Sequence, residues 1–262
     1  MRPLAEFPAE LRRRIRFVLT DIDDTLTTNG RLSAAAYAAL ERLTANGLRV
    51  IPVTGRPAGW CDLIARCWPV DAVVGENGAF WFRYDHQRRV MTRQFWLEEA
   101  ERAEARRKLG RLAMEIPAQV PGARVATDQP YRLADLAIDF AEDTGPLPLA
   151  DAERIAALFR AAGAEARVSS IHVNGWFGNW DKLAMTRRLF AEAFDADLDR
   201  SRDEIVFIGD SPNDAPMFRF FPNAVGVANI HPFLDRIETK PAYVTDKPAG
   251  AGFVEFAEML RS

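Results

Sequence analysis

The sequence predicts an α/β protein built on a parallel sheet, with a smaller α+β unit inserted part-way along. Three observations predict it. Between Phe17 and Val74, short apolar runs alternate with helical patterns, and strand, helix, strand, helix, strand is the order of a parallel sheet with crossover helices. From Ala79 to Val173 the alternation gives way to a hairpin pattern, a charged helix and further strand-like runs. From Asp181 the first pattern resumes. The expected division is a core of residues 1–96 and 176–262, with residues 97–175 inserted as an α+β unit.

The elements follow in order. Residues 1–14 read as a polar lead-in. Phe17-Val18-Leu19 is an apolar run between polar flanks, read as a buried strand; periodicity alone leaves a buried helical segment open. Ser33 is placed to cap a helix through Asn46, with Tyr37, Leu40 and Leu43 on one side and Gly47 as its stop. Leu48–Val53 is a second strand, running into Thr54-Gly-Arg-Pro57. Pro57 suits the first turn of a helix to about Trp68. Val70–Val74 is a third strand, broken at Gly75-Glu-Asn-Gly78. Ala79–Trp96 reads as a hairpin turning at Tyr84–Arg89.

Glu98 to about Met114 reads as a helix with a solvated face, supported by Glu98 with Arg102 and Glu104 with Lys108. Pro117 and Pro121-Gly122 are expected to end it. Ala123–Thr127 and Leu133–Phe140 are strand-like, Ala150–Ala162 helical, and Ala166–Val173 a single strand. Asp181 is placed to cap a helix to about Ala193. Glu204–Ile208 is a buried strand ending in Gly209-Asp-Ser-Pro-Asn-Asp214. Asn223–Ala228 and Ala242–Thr245 are short strands, and a helix from Gly252 to Leu260 follows.

At 262 residues the chain can form one large domain or two modest ones. Its net charge of −3 argues against a broad nucleic-acid surface, yet suits an anionic substrate held by a few local cations. Cys61 and Cys67, six apart on a predicted helix, fall on different faces; both are expected as buried apolar positions without a disulfide. Two thiols without a framework suggest a reducing, cytoplasmic setting. The arginine-rich start lacks an apolar stretch long enough for a signal peptide or membrane span. Neither nucleic acid nor membrane is expected as a partner, and no oligomeric state is indicated.

Ligands of parallel sheets bind at the C-terminal strand ends. Asp21, at the end of the first strand, and Asp23, in the loop beyond, are like charges that a hard divalent ion such as Mg²⁺ would compensate. Thr54-Gly55-Arg56 falls at the second strand end, where a hydroxyl and backbone N–H groups form an anion cradle. Lys182 opens a helix, where its charge opposes the dipole; it is either exposed or held by an acidic partner. Asp210 and Asp214 lie one helical turn apart after a later strand. Converging carboxylates, a hydroxyl, amides and a lysine are what phosphoryl transfer needs. Asp21 can attack phosphorus, while Asp23 gives a proton to the leaving oxygen and later takes one from water.

Asp21-Ile-Asp23-Asp24-Thr25-Leu26, Thr54, Lys182 and Gly209-Asp-Ser-Pro-Asn-Asp214 resemble, in order and spacing, the four motifs of the haloacid dehalogenase superfamily of Mg²⁺-dependent phosphohydrolases. An insert between the second and third motifs resembles the C2-capped branch (subfamily IIB), with Cof-type and sugar-phosphate phosphatases. Glu76-Asn-Gly-Ala79 and Gly209–Met217 look most like the mannosyl-3-phosphoglycerate and sucrose-phosphate phosphatase group. The resemblance implies a Rossmann-like core and a specificity-setting cap. It implies Asp21 as nucleophile and metal ligand, and Asp23 as acid/base that lends its carbonyl to the metal. It further implies Asp210 as metal ligand and Asp214 on the metal side. Thr54, Gly55, Arg56, Asn77, Lys182 and Asn213 are the expected contacts to phosphate or substrate, a small phosphorylated metabolite. Asp24 stands where the family usually has Gly.

In the insert, Arg132, Arg167, Ser169, Ser170, His172 and Asn174 are candidates to touch a sugar or carboxylate, structural roles being the alternative. Trp176 and Trp180 are read either as a sugar-binding wall or as core or hinge residues. A phosphomutase is the competing activity, since it shares core and cap. A signalling receiver is disfavoured because its acidic pair precedes the phosphorylated Asp, and a dead scaffold because every motif residue is present. The cap is expected to swing on linkers near residues 96 and 176.

Overall fold

The computed structural model describes residues 1–260. Its strands are β1 (Arg2–Pro3), β2 (Phe17–Thr20), β3 (Arg49–Pro52), β4 (Val73–Gly75), β5 (Phe80–Asp85), β6 (Val90–Phe95), β7 (Arg124–Val125), β8 (Leu136–Asp139), β9 (Glu165–Val168), β10 (His172–Trp176), β11 (Ile205–Gly209), β12 (Val225–Gly226) and β13 (Tyr243–Val244). Its α-helices are α1 (Ala9–Arg14), α2 (Ala34–Ala45), α3 (Ala58–Cys67), α4 (Glu99–Gln119), α5 (Leu149–Ala161), α6 (Lys182–Phe194), α7 (Leu198–Ser201), α8 (Ala215–Phe220) and α9 (Ala249–Met259).

Six strands form one parallel sheet in the order β1-β13-β12-β11-β2-β3. Alternate residues of its central strands feed opposite faces, as a pleated strand requires. Val18, Val50, Val206 and Ile208 pack with Leu40 of α2 and with Phe253 and Phe256 of α9. Leu19, Ile51 and Phe207 pack with Leu189 and Phe190 of α6 and Met217 and Phe218 of α8. Both faces are covered, which is why these strands read as unbroken apolar runs. The predicted parallel α/β class is what the chain adopts.

The inserted region carries its own antiparallel sheet, β7-β8-β10-β9, with α4 and α5 packed over it. Its core gathers Leu112, Ile116, Ile138, Ile155, Phe159 and Val173. A three-stranded sheet, β4-β5-β6, lies beside α3.

Several expectations are corrected. The lead-in is not merely polar: β1 adds an edge strand to β13, and Leu4 and Phe7 are buried, Phe7 against the Tyr243 ring. The third strand, β4, pairs antiparallel with β5 and meets the end of β3 through a parallel Val53–Val74 bridge, the Thr54 N–H donating to the Val74 carbonyl at 2.9 Å. Pro117 lies inside α4, because buried Ile116 and Val120 hold the last turn and the Val120 N–H still donates to Ile116. Ala166–Val173 is not one strand but the hairpin β9–β10, turning at Ser169–Ile171, where the Ser169 hydroxyl accepts from the His172 N–H at 3.0 Å. Cys61 is buried but Cys67 is exposed, and both are free thiols. Trp176 and Trp180 stack with centroids 5.9 Å apart in the cluster containing Phe80 and Phe82, so they are core residues and not a sugar-binding wall. Among the described residues no helix is long and apolar enough to cross a membrane.

Candidate active site

Sheet pairing brings the candidate residues together. Strand β2 lies between β11 and β3, with Thr20 opposite both Ile208 and Pro52. One residue further, the Asp21 N–H donates to the Ile208 carbonyl at 2.9 Å. Asp21, Thr54 and Asp210 therefore sit side by side at three adjacent strand ends. Gly209 leaves room for the next turn: a Cβ there would lie 2.4 Å from Asp214 Oδ2.

Lys182 is 2 % exposed and is held by acidic partners. Its Nζ donates to Asp21 Oδ1 at 3.0 Å and to Asp214 Oδ1 at 2.7 Å. Asp181 caps α6 by accepting from the Ala184 N–H at 2.7 Å. Gly78, at φ +107°, lets its loop meet this helix start, since a Cβ there would strike the Asp181 carbonyl. Asp214 Oδ2 accepts from the Asp210 and Ser211 N–H groups at 3.2 and 3.4 Å. Both Asp214 oxygens are thus engaged, which makes Asp214 an anchor of the cluster.

Carboxylate oxygens of Asp21, Asp210 and Asp214 lie within 4.8 Å of one another. Asp210 accepts from Thr25 Oγ1 at 3.3 Å and from Asn229 Nδ2 at 3.2 Å. Burial, opposed by Lys182 and reinforced by Asp214 and Asp23, lifts the Asp21 carboxyl to about 7. Burial, with Asp21 and Asp214 beside it, also raises Asp210 well above the carboxylate range. Burial would lower Lys182, but Asp21 and Asp214 outweigh it and raise the ammonium. One ammonium among three buried carboxylates leaves negative charge uncompensated, the electrostatic setting of a hard cation with oxygen ligands.

Asp23 lies across the cavity, held by Arg56: Nε lies 2.9 Å from both carboxylate oxygens, and Nη2 lies 2.8 Å from Oδ1. Arg56 therefore grips the acid/base candidate and, through Nη2, also reaches Glu142 Oε1 of the insert at 2.8 Å. Its guanidinium stacks 4.4 Å above the Trp60 ring. The Thr54 hydroxyl accepts from the Arg56 N–H at 3.0 Å, and the Thr54 carbonyl from the Asn77 N–H at 3.0 Å. Asn77, at φ +55°, packs its amide against Gly55. Asn213 accepts from the Ser211 hydroxyl at 2.6 Å on the opposite rim. Asp21, Asp23, Gly55, Arg56, Asn77, Asp210 and Asn213 line one cavity, roofed by Ser169, Ser170, His172 and Asn174 of the insert. Arg167 does not line it; it faces a neighbouring cleft. Asp24 takes φ +51°, the left-handed conformation that glycine adopts without strain.

Sequence reasoning missed three participants. Asn229 ties Asp210 to the Asp24 carbonyl and the Ala249 N–H. Glu142 comes from the insert. Glu76, fully buried at φ +43°, accepts from the N–H groups of Ala58, Leu133, Ala134 and Asp135 at 3.0, 2.9, 2.6 and 3.0 Å. Arg132 adds a link across the same joint, donating to the Gly55 carbonyl at 2.9 Å while paired with Asp128 and Asp135. Burial and Asp135 push Glu76 up to about 7 despite Arg132 and the amides.

With this geometry in hand, residues 18–103 match the family described as haloacid dehalogenase-like hydrolase. The matched segment is about a third of the chain, from β2 to the start of α4. Solved structures similar to this chain share its fold. A Thermoplasma acidophilum protein (0175) has 20 % identity and a TM-score of 0.71, over 94 % of this chain and 98 % of that one. A putative HAD/COF-like hydrolase from Plasmodium vivax has 14 % identity and a TM-score of 0.65, over 96 % and 99 %. The sucrose-phosphatase of Synechocystis, in complex with sucrose and phosphate, has 13 % identity and a TM-score of 0.61, over 94 % and 97 %. No curated protein matches the sequence.

Proposed function

We propose that this hydrolase is a Mg²⁺-dependent phosphatase of a small phosphorylated metabolite, a sugar phosphate or related monoester, working through an aspartyl-phosphate. The observation that carries the reading is Lys182 bonded to both Asp21 and Asp214, with Asp210 alongside and Asp23 facing them. The donor set fits Mg²⁺: buried carboxylate oxygens and a surplus of negative charge. Asp21 and Asp210 would hold the ion with the Asp23 carbonyl, and Asp214 would support it. When bound, the ion neutralises charge on the carboxylates and on the transferring group.

Asp21, restrained by Lys182, attacks phosphorus in line. The Thr54 hydroxyl, the amides after it, Asn77, Asn213 and Lys182 hold the phosphoryl oxygens. Asp23 donates its proton to the leaving oxygen and then deprotonates the water that hydrolyses the acyl phosphate. Arg56 fixes the orientation of Asp23 throughout. Residues 97–175 act as the cap. The cavity under that cap has about 20 Å³ free, room for little more than a water, so an ester enters only after the cap yields. The same closeness favours a second reading, a phosphomutase that shields its aspartyl-phosphate from water.

A panel of phosphate esters assayed with and without Mg²⁺, beside Asp21→Asn, tests both. The expected result is Mg²⁺-dependent release of free phosphate, lost in the variant. Isomerised ester without free phosphate would select the mutase, and turnover by Asp21→Asn would remove the assigned nucleophile.

A further inference from the structure

The side chain of Glu142 has no role in the chemistry above, yet it sits where a leaving group would pass. Its Oε1 lies 2.8 Å from Arg56 Nη2 and its Oε2 lies 2.9 Å from His172 Nε2. The Arg56 and His172 side chains are each 3 % exposed and line the cavity over Asp21 and Asp23. The Glu142 side chain keeps 27 % of its surface. A guanidinium that donates and an imidazole within ion-pair distance, both buried, thus meet a carboxylate brought in from outside. Burial would raise that carboxyl, but His172 and Arg56 prevail and hold it at about 2.

We propose that Arg56 and His172 form a carboxylate subsite for the substrate's leaving group, and that Glu142 occupies it in place of the substrate. This rests on the phosphatase reading and narrows it to phosphate monoesters of short hydroxy acids. The spacing sets the length. Asp23 Oδ1 and Glu142 Oε1 each lie 2.8 Å from the same Nη2, so they are at most twice that distance apart. An ester oxygen at Asp23 and a carboxylate in place of Glu142 are then separated by only one or two carbons.

Displacing Glu142 does not require its loop to unfold. The Asp139 carboxylate accepts from the N–H groups of Ala141, Glu142, Asp143 and Thr144, which fixes that backbone. A cavity of about 340 Å³, lined by Asp24, Asn29, Ala141 and Glu142 among others, lies beside the side chain and can receive it.

The test compares 3-phosphoglycerate with glycerol 1-phosphate, which differ in carboxylate against hydroxymethyl, for wild type, Glu142→Gln and His172→Phe. A charge-assisted contact is about twice as strong as a neutral one, so weakening the internal competitor shifts affinity about tenfold. Wild type is expected to prefer the carboxylate ester. Glu142→Gln should lower its KM about tenfold and leave glycerol 1-phosphate within about twofold; His172→Phe should raise KM for the carboxylate ester alone. Calorimetric titration with glycerate supplies a readout without turnover, with about tenfold tighter binding to Glu142→Gln than to wild type. Equal use of both esters, with Glu142→Gln shifting both KM values alike, overturns the subsite and leaves the phosphatase reading standing. Tighter glycerate binding with no phosphate released from any ester supports the subsite and overturns the phosphatase.

Discussion

Replacing Lys182 by methionine removes the ammonium that joins Asp21 and Asp214 while keeping much of the apolar stem. The side chain is 2 % exposed, so water does not replace the lost partner. Breaking a buried pair by removing one member costs about 3–5 kcal/mol, because a charge is left buried and unpaired. Here one substitution unpairs two carboxylates, which places the variant at the upper end of that range. Against a typical total of about 5–15 kcal/mol, the loss is measurable without abolishing the fold. The assay is urea unfolding at pH 7.5 in chelator, read by midpoint and slope. The expected result is a lower midpoint at unchanged slope, partly restored by Mg²⁺, with kcat down by at least about a hundredfold. An unfolding free energy within about 1 kcal/mol of wild type in chelator would refute the claim that Lys182 neutralises this cluster.

Further predictions address the same residues. In chelator, burial holds the folded Asp21 carboxyl at about 7, far above its ordinary 3.8, so the folded state binds the extra proton. Stability should therefore fall as pH rises from about 4 to 7, by on the order of 4 kcal/mol from this group, and Mg²⁺ should flatten the curve. Unfolding midpoints that climb over that range would contradict it. Asp24→Gly should stabilise the loop by about 0.5–1 kcal/mol, since Gly takes φ +51° freely; a destabilised variant would mean that the Asp24 carboxylate outweighs its backbone. Glu76→Gln puts an NH₂ against amide donors and leaves two of four N–H groups unpaired, costing about 2–6 kcal/mol by thermal or urea melt. A melt unchanged by that substitution would show that the four amides find other partners.

Much of the core was legible because its signals are local. Phe17–Thr20 and Ile205–Gly209 are buried on both faces and read as apolar runs whatever surrounds them. Ser33 and Asp181 announce helices because a capping side chain acts on an amide three residues on. The hairpin at Ser169–Ile171 went unread because it turns on a serine hydroxyl and contains no Gly, Pro or Asn. Glu142 and Asn229 were invisible for another reason: their partners Arg56 and Asp24 lie 86 and 205 residues away, and neither carries a motif. Cys67 looked buried because helical position alone does not say which face meets the core.

The Glu76 carboxylate bears on how the two parts of the chain can be separated. Its four amide donors come from both sides of the joint, and Ala134 and Trp176 complete the apolar cluster around Phe80. Excising residues 97–175 would strip that carboxylate of three donors and open a hole beside Phe80. A transplanted roof from a relative would have to bring its own amides to the same point. Point changes at the cavity rim therefore disturb this joint less than exchange of residues 97–175 would.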